Sequence, residues 1–364
     1  MSDSLSYASA GVDVEAGERA VALMRSAIAS THRPEVIGDF GGFAGLFEMT
    51  AFKSMKRPLL ATSTDGVGTK IEVARKLDKH DTVGIDLVAM VVDDLVVCGA
   101  QPLFMTDYIA VGKVDPTRVS SIVTGIAQGC AQAGCALVGG ETAEHPGLLA
   151  EDEYDIAGAG TGIVDADNLL GADKVEVGDV AIAIGSSGLH SNGFSLARHI
   201  SFTIAQLDVH DHVAEFGRTL GEEFLEPTKI FTKDLLALID AVEVHSISHI
   251  TGGGIASNVA RVMPEHTTLD IDRSTWAPLP VFNFLQQAGN LEQREAEKTF
   301  NMGIGMLAFV KSDAYLDALS LLRARGLTAW AVGDVKLRTQ SDVSDAPAKG
   351  GLGGVVRLVS NYQQ

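Results

Sequence analysis

The sequence predicts an α/β (α+β) fold built as two mixed domains. Three observations carry that expectation. Segments of strand period and of helix period interleave along the chain rather than separating into blocks. Glycine clusters stand where several predicted strands pass into predicted helices. The chain has 364 residues, 46% apolar and 21% charged, enough to bury two domain-sized cores. The expected domains are residues 1–171 and 172–364.

The first 35 residues read as partly helical, with Val21, Ala22, Met24, Arg25 and Ile28 on an amphipathic segment that stops before Pro34. The stretch IGDFGGFAGLFEM (37–49) carries Gly38, Gly41, Gly42 and Gly45, too many for a stable helix or strand. It reads either as a surface loop or as a flap that closes over a ligand. RPLLATSTD is a strand ending at Asp65, and a helix follows from Thr69 to Leu77. A helix over 84–99 stops at Gly99, with Pro102 beyond. Then come a strand over 102–111, a helix over 119–133 ended by Gly134, the strand CALVGGETAE running into Gly139-Gly140, and a strand over 153–164.

The second half repeats this logic. Val180 to Ile184 alternates as a strand, a Gly-rich turn follows, and a helix starts near Asn192. Val244 to Ile250 is strand-like, and three glycines then precede a helix from Ile255. A strand over 301–310, a helix over 313–325 and a strand over 327–335 follow. The segment DAPAKGGLGG (345–354) reads as flexible, before a last strand VVRLV (355–359).

A net charge of −19 argues against non-specific nucleic-acid binding, which needs a positive footprint. Any anion site has to be built locally from backbone N–H groups, a few basic side chains and metal ions. Cys98, Cys130 and Cys135 are odd in number and irregularly spaced, which suggests reduced thiols buried as small hydrophobes and a cytoplasmic setting. No basic and apolar leader opens the sequence, and no run of about 18 apolar residues suggests a membrane span.

The stretch STDGVGTK (63–70) looks like a phosphate loop but fits neither common pattern. Thr69 separates Gly68 from Lys70, and Ile71 stands where a dinucleotide loop needs glycine. Asp86, Asp93 and Asp94 interrupt the apolar helix over 84–99. The first two lie within ~20° of one face, and Asp94 is about 80° round from Asp86. Carboxylates among Val, Leu and Met are costly unless paired or metal-bound. With Asp65 they form an oxygen set of the kind Mg²⁺ prefers, although solvated or capping roles fit the same residues. Glu141 after Gly139-Gly140 is a weaker signal of the same kind.

GSSGLHSNGF (185–194) and TGGG (251–254) are candidate anion cradles. Gly185, Ser186, Ser187 and Gly188 serve the first, and Gly252, Gly253 and Gly254 the second. His190 sits inside the first, beside Asn192, as a general base, a phosphate ligand or an exposed residue. Carboxylates suited to Mg-nucleotide in one half and neutral cradles in the other point to ATP-dependent phosphoryl transfer to a phosphorylated small molecule.

Nine motifs in order, SYASAGVDVEAGERAV, RPEVIGDFGGFAGLF, STDGVGTK, HDTVGIDLVAMVVDDLVVCGAQPLF, VGGETAEHPG, GSSGLHSNGFSL, LEPTKIF, HITGGGIASNVARVMP and TFNMGIGM, closely resemble the phosphoribosylformylglycinamidine cyclo-ligase family of purine biosynthesis. The resemblance runs from about Ser6 to about Val335. It implies ATP-dependent ring closure of formylglycinamidine ribonucleotide to aminoimidazole ribonucleotide: ATP phosphorylates the formyl amide oxygen, a nitrogen attacks that carbon, and phosphate leaves.

The resemblance also implies a homodimer whose N-terminal halves pair, with ATP near that interface and residues 37–46, including Gly41 and Gly42, folding over it. By the same likeness, Asp65, Asp94 and Glu141 are metal and phosphate positions, with Gly66, Gly68, Thr69 and Lys70 near the nucleotide. Asp94, His190 and Asn192 are the catalytic candidates, and the C-terminal Gly loops hold the ribose phosphate. The family usually has Asn where this chain has Asp93, and the added carboxylate would supply a metal ligand or raise a neighbour's pKa. Selenophosphate synthetase, a superfamily rival, relies on a Cys near the N-terminal Gly-rich segment. Here the earliest is Cys98.

Overall fold

The computed structural model describes residues 13–38 and 42–363. Two compact units emerge: Met1–Leu95 with Gln101–Ala166, and Val96–Ala100 with Asp167–Gln364.

In the first unit the chain runs α1 (Val14–Ala29), β1 (Val36–Ile37), β2 (Leu46–Phe47), β3 (Pro58–Gly66), α2 (Ile71–Leu77), α3 (Asp81–Val96), β4 (Gln101–Val111), α4 (Pro116–Ala133), β5 (Ala136–Glu144) and β6 (Tyr154–Asp165). Helix ends follow local chemistry. The Asp13 carboxylate accepts the Ala16 amide hydrogen at 2.9 Å, and Asp115 caps α4 with Pro116 at its first turn. Gly134 closes α4 in the left-handed region at φ 76°. The four-stranded sheet has the order β3-β6-β4-β5, antiparallel except for the parallel pair β4–β5. Met105, Ile109 and Val111 are buried on one face of β4, while Thr106 and Tyr108 between them are exposed. The α3 helix is apolar nearly all round, and Leu87, Val88, Val91, Val92 and Leu95 are all buried.

Two expectations shift here. The strand through STDG runs one residue past Asp65, to Gly66. The strand β5 does not open into a loop at Gly139-Gly140, because its parallel pairing with β4 continues to Glu144. Both glycines therefore lie inside a strand.

The second unit runs β7 (Val180–Gly185), α5 (Phe194–Arg198), β8 (His212–Val213), β9 (Arg218–Thr219), α6 (Leu220–Phe224), α7 (Thr232–Ala241), β10 (Val244–His249), α8 (Gly254–Ala260), β11 (Thr267–Asp272), α9 (Pro280–Gly289), α10 (Gln293–Thr299), β12 (Ile304–Val310), α11 (Tyr315–Ala324), β13 (Ala329–Leu337) and β14 (Val355–Val359). Its six-stranded sheet has the order β10-β12-β7-β13-β11-β14, antiparallel except for β11–β14. All seven residues of β12 are buried, which is why IGMLAFV reads as an unbroken apolar run. Ile182, Ile184, Leu235, Leu238, Ile247, Met306, Ala308 and Leu322 form one core between this sheet and the helices α7 and α11.

The Gly-rich tail is anchored. The Lys349 amide donates to the Ser257 carbonyl at 3.1 Å and the Gly354 amide to the Ala260 carbonyl at 2.9 Å, pinning the segment over α8. Among the described residues no helix is long and apolar enough to cross a membrane.

Candidate active site

In the first unit, residues paired across the strands form one row: Asp65 on β3, Gly158 on β6, Asp107 on β4 and Gly140 on β5. Directly paired residues share a face, so the two aspartates stand on the same side of the sheet with a glycine between them. Asp65 is half-buried, and its Oδ1 accepts the Gly66 amide hydrogen at 2.7 Å. Asp107 lines a cavity of about 320 Å³ with Glu141, Thr142 and the apolar side of α1 (Ala20, Met24 and Ile28). Burial pushes its carboxyl up to about 7. Gly140 leaves room for the Asp107 carboxylate, which a Cβ at this position would push aside.

Asp107 was not among the residues singled out from sequence. The signal was present: Met105, Asp107, Ile109 and Val111 share the strand period, which puts the aspartate on the buried face.

The end of STDGVGTK turns inward. After Gly66 the backbone passes into one 3-10 turn, Gly68–Lys70, with Gly68 at φ +72°. That turn sends Lys70 inward: its side chain is fully buried and its Nζ lies 2.9 Å from Asp86 Oδ1. The expectation that Lys70 offers a surface charge to phosphate is corrected, since the ammonium already neutralises a buried carboxylate. Thr69 remains exposed.

On α3, Asp86 and Asp93 are both fully buried, as their common face requires, whereas Asp94 is half-buried. A Mg²⁺ ligand that shares its ion with nucleotide phosphates has to reach accessible space. Asp94 reaches such space, whereas Asp93 is enclosed. Among the described residues no three carboxylate, histidine or cysteine side chains converge on a metal position by themselves. Gly42 is exposed, and β1 pairs antiparallel with β2. Gly41 lies outside the described residues.

In the second unit hydrogen bonds join four distant motifs. Asn192 Oδ1 accepts the Gly252 amide hydrogen at 3.0 Å, linking the two Gly-rich loops. Ser187 Oγ donates to the Pro227 carbonyl at 2.6 Å and accepts from the Lys229 amide at 3.1 Å, which docks LEPTKIF. Asn301, from TFNMG, donates through Nδ2 to the Gly188 carbonyl at 2.9 Å and accepts the Gly303 amide hydrogen at 2.8 Å. Ser186 Oγ lies 3.1 Å from the same Asn301 Oδ1. Within the second loop the Asn258 carboxamide donates to the Thr251 carbonyl at 3.1 Å and the Gly254 carbonyl at 2.8 Å. Gly254 sits at φ +72° with the Glu297 carbonyl where a Cβ would stand, so only glycine fits. Gly253 is left-handed too.

His190 is buried, at 2% exposure, and not a surface residue. Its backbone is left-handed, at φ 61°, and its ring packs on Phe231 with centroids 6.1 Å apart. The Ser187 amide donates to Nε2 at 3.2 Å. That nitrogen is therefore the unprotonated one in this state, and its lone pair is occupied.

Family models for the N-terminal and C-terminal domains of AIR synthase related proteins match residues 50–164 and 176–345. A phosphoribosylformylglycinamidine cyclo-ligase of Brevibacillus brevis is 48% identical over 91% of this chain and 95% of its own. One of Trichlorobacter lovleyi is 49% identical over 91% and 94%. The chain belongs to the phosphoribosylformylglycinamidine cyclo-ligase family. The fold extends beyond it. A thiamine-monophosphate kinase from Stenotrophomonas maltophilia superposes with a TM-score of 0.62 at 17% identity, over 93% of this chain and 95% of that one. The hydrogenase maturation protein HypE in complex with ATP gives 0.60 at 18%, over 88% and 86%.

Proposed function

We infer that the chain is the ATP-dependent ligase that closes the ring of phosphoribosylformylglycinamidine in purine biosynthesis. The observation that carries this reading beyond the family resemblance is the meeting of GSSGLHSNGF, LEPTKIF, TGGG and TFNMG through Asn192, Ser187 and Asn301. An amide oxygen is a poor leaving group. In this mechanism the formyl oxygen takes the γ-phosphoryl of ATP, so that a P–O bond forms as the β,γ-anhydride breaks to ADP. The amidine-side nitrogen then attacks the formyl carbon, the C–O bond breaks with phosphate as the leaving group, and the nitrogen gives up a proton.

The first unit supplies the nucleotide side. Asp65 and Asp94 are half-buried carboxylates outside any self-contained cage, a donor set that fits Mg²⁺ bound with nucleotide phosphates and water. The ion would neutralise charge on the transferred phosphoryl. Gly66, Gly68 and Thr69 border the same strand end, Glu141 faces the cavity beside Asp107, and residues 37–46 serve as the flap.

In the second unit Ser186, Ser187, Gly188 and Gly252–Gly254 hold the ribose phosphate end. Asn192 fixes the spacing of the loops, and His190 acts by orienting the Ser187 amide rather than by carrying a proton through Nε2. The active form is a homodimer of N-terminal units, supported by Leu60 and Tyr108, which are 69% and 43% exposed on strands β3 and β4. A cytoplasmic setting is supported by three cysteines that are free of disulfides.

The test is ADP release on adding formylglycinamidine ribonucleotide, compared with thiamine phosphate and selenide. Substrate-dependent ADP with the first alone is expected. Asp94→Ala abolishes it while the protein stays folded. Normal turnover of that variant would sink the nucleotide-side assignment.

A further inference from the structure

A cavity of the C-terminal unit, about 550 Å³, is walled in part by Ser186 and Ser187, and its remaining walls have no role in the reaction assigned above. Its walls differ from the rest of this acidic protein. Trp276 and Trp330 stand on one side with ring centroids 6.1 Å apart, and Lys229 and Arg323 supply two positive charges. No carboxylate lines it, although the chain carries a net charge of −19. Both tryptophans of the whole sequence are here.

The groups are held in place. Trp276 is buried, and its indole N–H donates to the Met302 carbonyl at 3.0 Å. Arg323 is fixed by two bonds to the Ala329 carbonyl, at 3.0 and 2.8 Å, so its fork has a set orientation at the rim. The Lys229 amide is tied to Ser187, while its half-buried side chain has no carboxylate partner among the described residues.

Large flat rings recognise flat rings, and an ammonium and a guanidinium without acidic neighbours recognise a phosphate. A cavity of this volume with few, fixed polar groups has the size of a small-ligand site. A heteroaromatic ring covers more of the two indole faces than the small planar amidine of the ring-opened substrate does.

We propose that this cavity binds a heterocyclic ribonucleoside monophosphate beside the first substrate cradle, with which it shares Ser186 and Ser187. The base lies against Trp330 and Trp276, and the phosphate is held by Lys229 and Arg323. Gly185, Ser186 and Ser187 form one wall, so an occupied cavity braces the loop that carries the substrate contacts. This inference does not depend on the reaction assigned above.

Because both tryptophans line the cavity, intrinsic fluorescence of the full chain reports on it directly. Titration with adenosine 5′-monophosphate is expected to change the signal saturably. Adenosine, ribose 5-phosphate and inorganic phosphate alone should bind at least ten-fold more weakly. Lys229→Met should weaken the nucleotide at least ten-fold with an unchanged melting temperature. Asp94→Asn, in the other unit, should leave this affinity intact, which separates the site from the nucleotide side of the reaction. The proposal is overturned if inorganic phosphate reproduces the response, if Lys229→Met binds like wild type, or if Asp94→Asn abolishes binding. Calorimetry on Trp330→Phe gives a second check, since undiminished affinity there excludes stacking on that ring.

Discussion

Asn192 Oδ1 and the Gly252 amide nitrogen are 3.0 Å apart, and this bond ties the loop after β7 to the loop after β10. The loops are 60 residues apart in sequence, so nothing local sets their spacing. Asn192→Ala removes the bond to Gly252, and a hydrogen bond of this kind is worth about 0.5–1.5 kcal/mol of stability. It also frees the TGGG loop to drift, and misplacement of about 1 Å can cost on the order of 10²-fold in rate. The expected result is a fall of at least ten-fold in kcat/KM for the ribonucleotide, with KM for ATP unchanged and a stability loss under about 2 kcal/mol. Steady-state kinetics with either substrate varied, beside a urea melt, checks it.

The Lys70–Asp86 pair is fully enclosed on both sides. Removing one partner of such a pair leaves an uncompensated buried charge and costs about 3–5 kcal/mol, while replacing both can be neutral. Lys70→Met should therefore destabilise the N-terminal unit by about 3–5 kcal/mol in denaturant melts. Lys70→Met with Asp86→Leu should recover most of that loss. Equal stability of wild type and the single variant would show that the charge is not held in a closed environment.

Much of this was legible in the sequence, and the failures share a cause. The strand VVRLV and the helix after Pro116 follow from apolar period and punctuation, which are local signals. Residues 201–243 and 264–300 yielded no elements: β8, β9 and α6 are too brief to show a period, while β11 and the ten-residue α7 and α9 were passed over. Gly-x-Gly-Thr-Lys suggested a phosphate loop because composition does not say which way a side chain turns. One 3-10 turn was enough to bury Lys70. Asn258 and Asn301 lay inside recognised motifs yet were passed over, since their work is to satisfy loop carbonyls that only the folded chain brings near.

Asp107 is an acid whose folded-state pKa is raised, to about 7, by burial. Such a group keeps its proton while the unfolded chain ionises, so it lowers stability as pH climbs from about 4 to 7 and holds that penalty above. Some of its surface still meets solvent, so the penalty is about 1–2 kcal/mol rather than the ~4 kcal/mol that a fully buried shift of this size carries. Asp107→Asn should be more stable than wild type by about 1–2 kcal/mol at pH 8 and indistinguishable at pH 4. Urea melts across that range decide it, and a variant less stable at pH 8 would show that the carboxylate is paired in the native state.

Leu60 and Tyr108 leave apolar surface on the four-stranded sheet, on strands where exposed residues alternate with less exposed ones. A dimer formed through that face would bury Leu60, where about 25 cal/mol per Å² of apolar surface is gained. A glutamate in its place would meet a like carboxylate across a two-fold axis and would have to be desolvated. Wild type is therefore expected to sediment as a dimer at micromolar concentration. Leu60→Glu should raise the dimer dissociation constant at least 100-fold while leaving the far-ultraviolet circular dichroism unchanged. A wild-type chain that sediments as a monomer, or a variant that dimerises as tightly, would remove this face from the assembly.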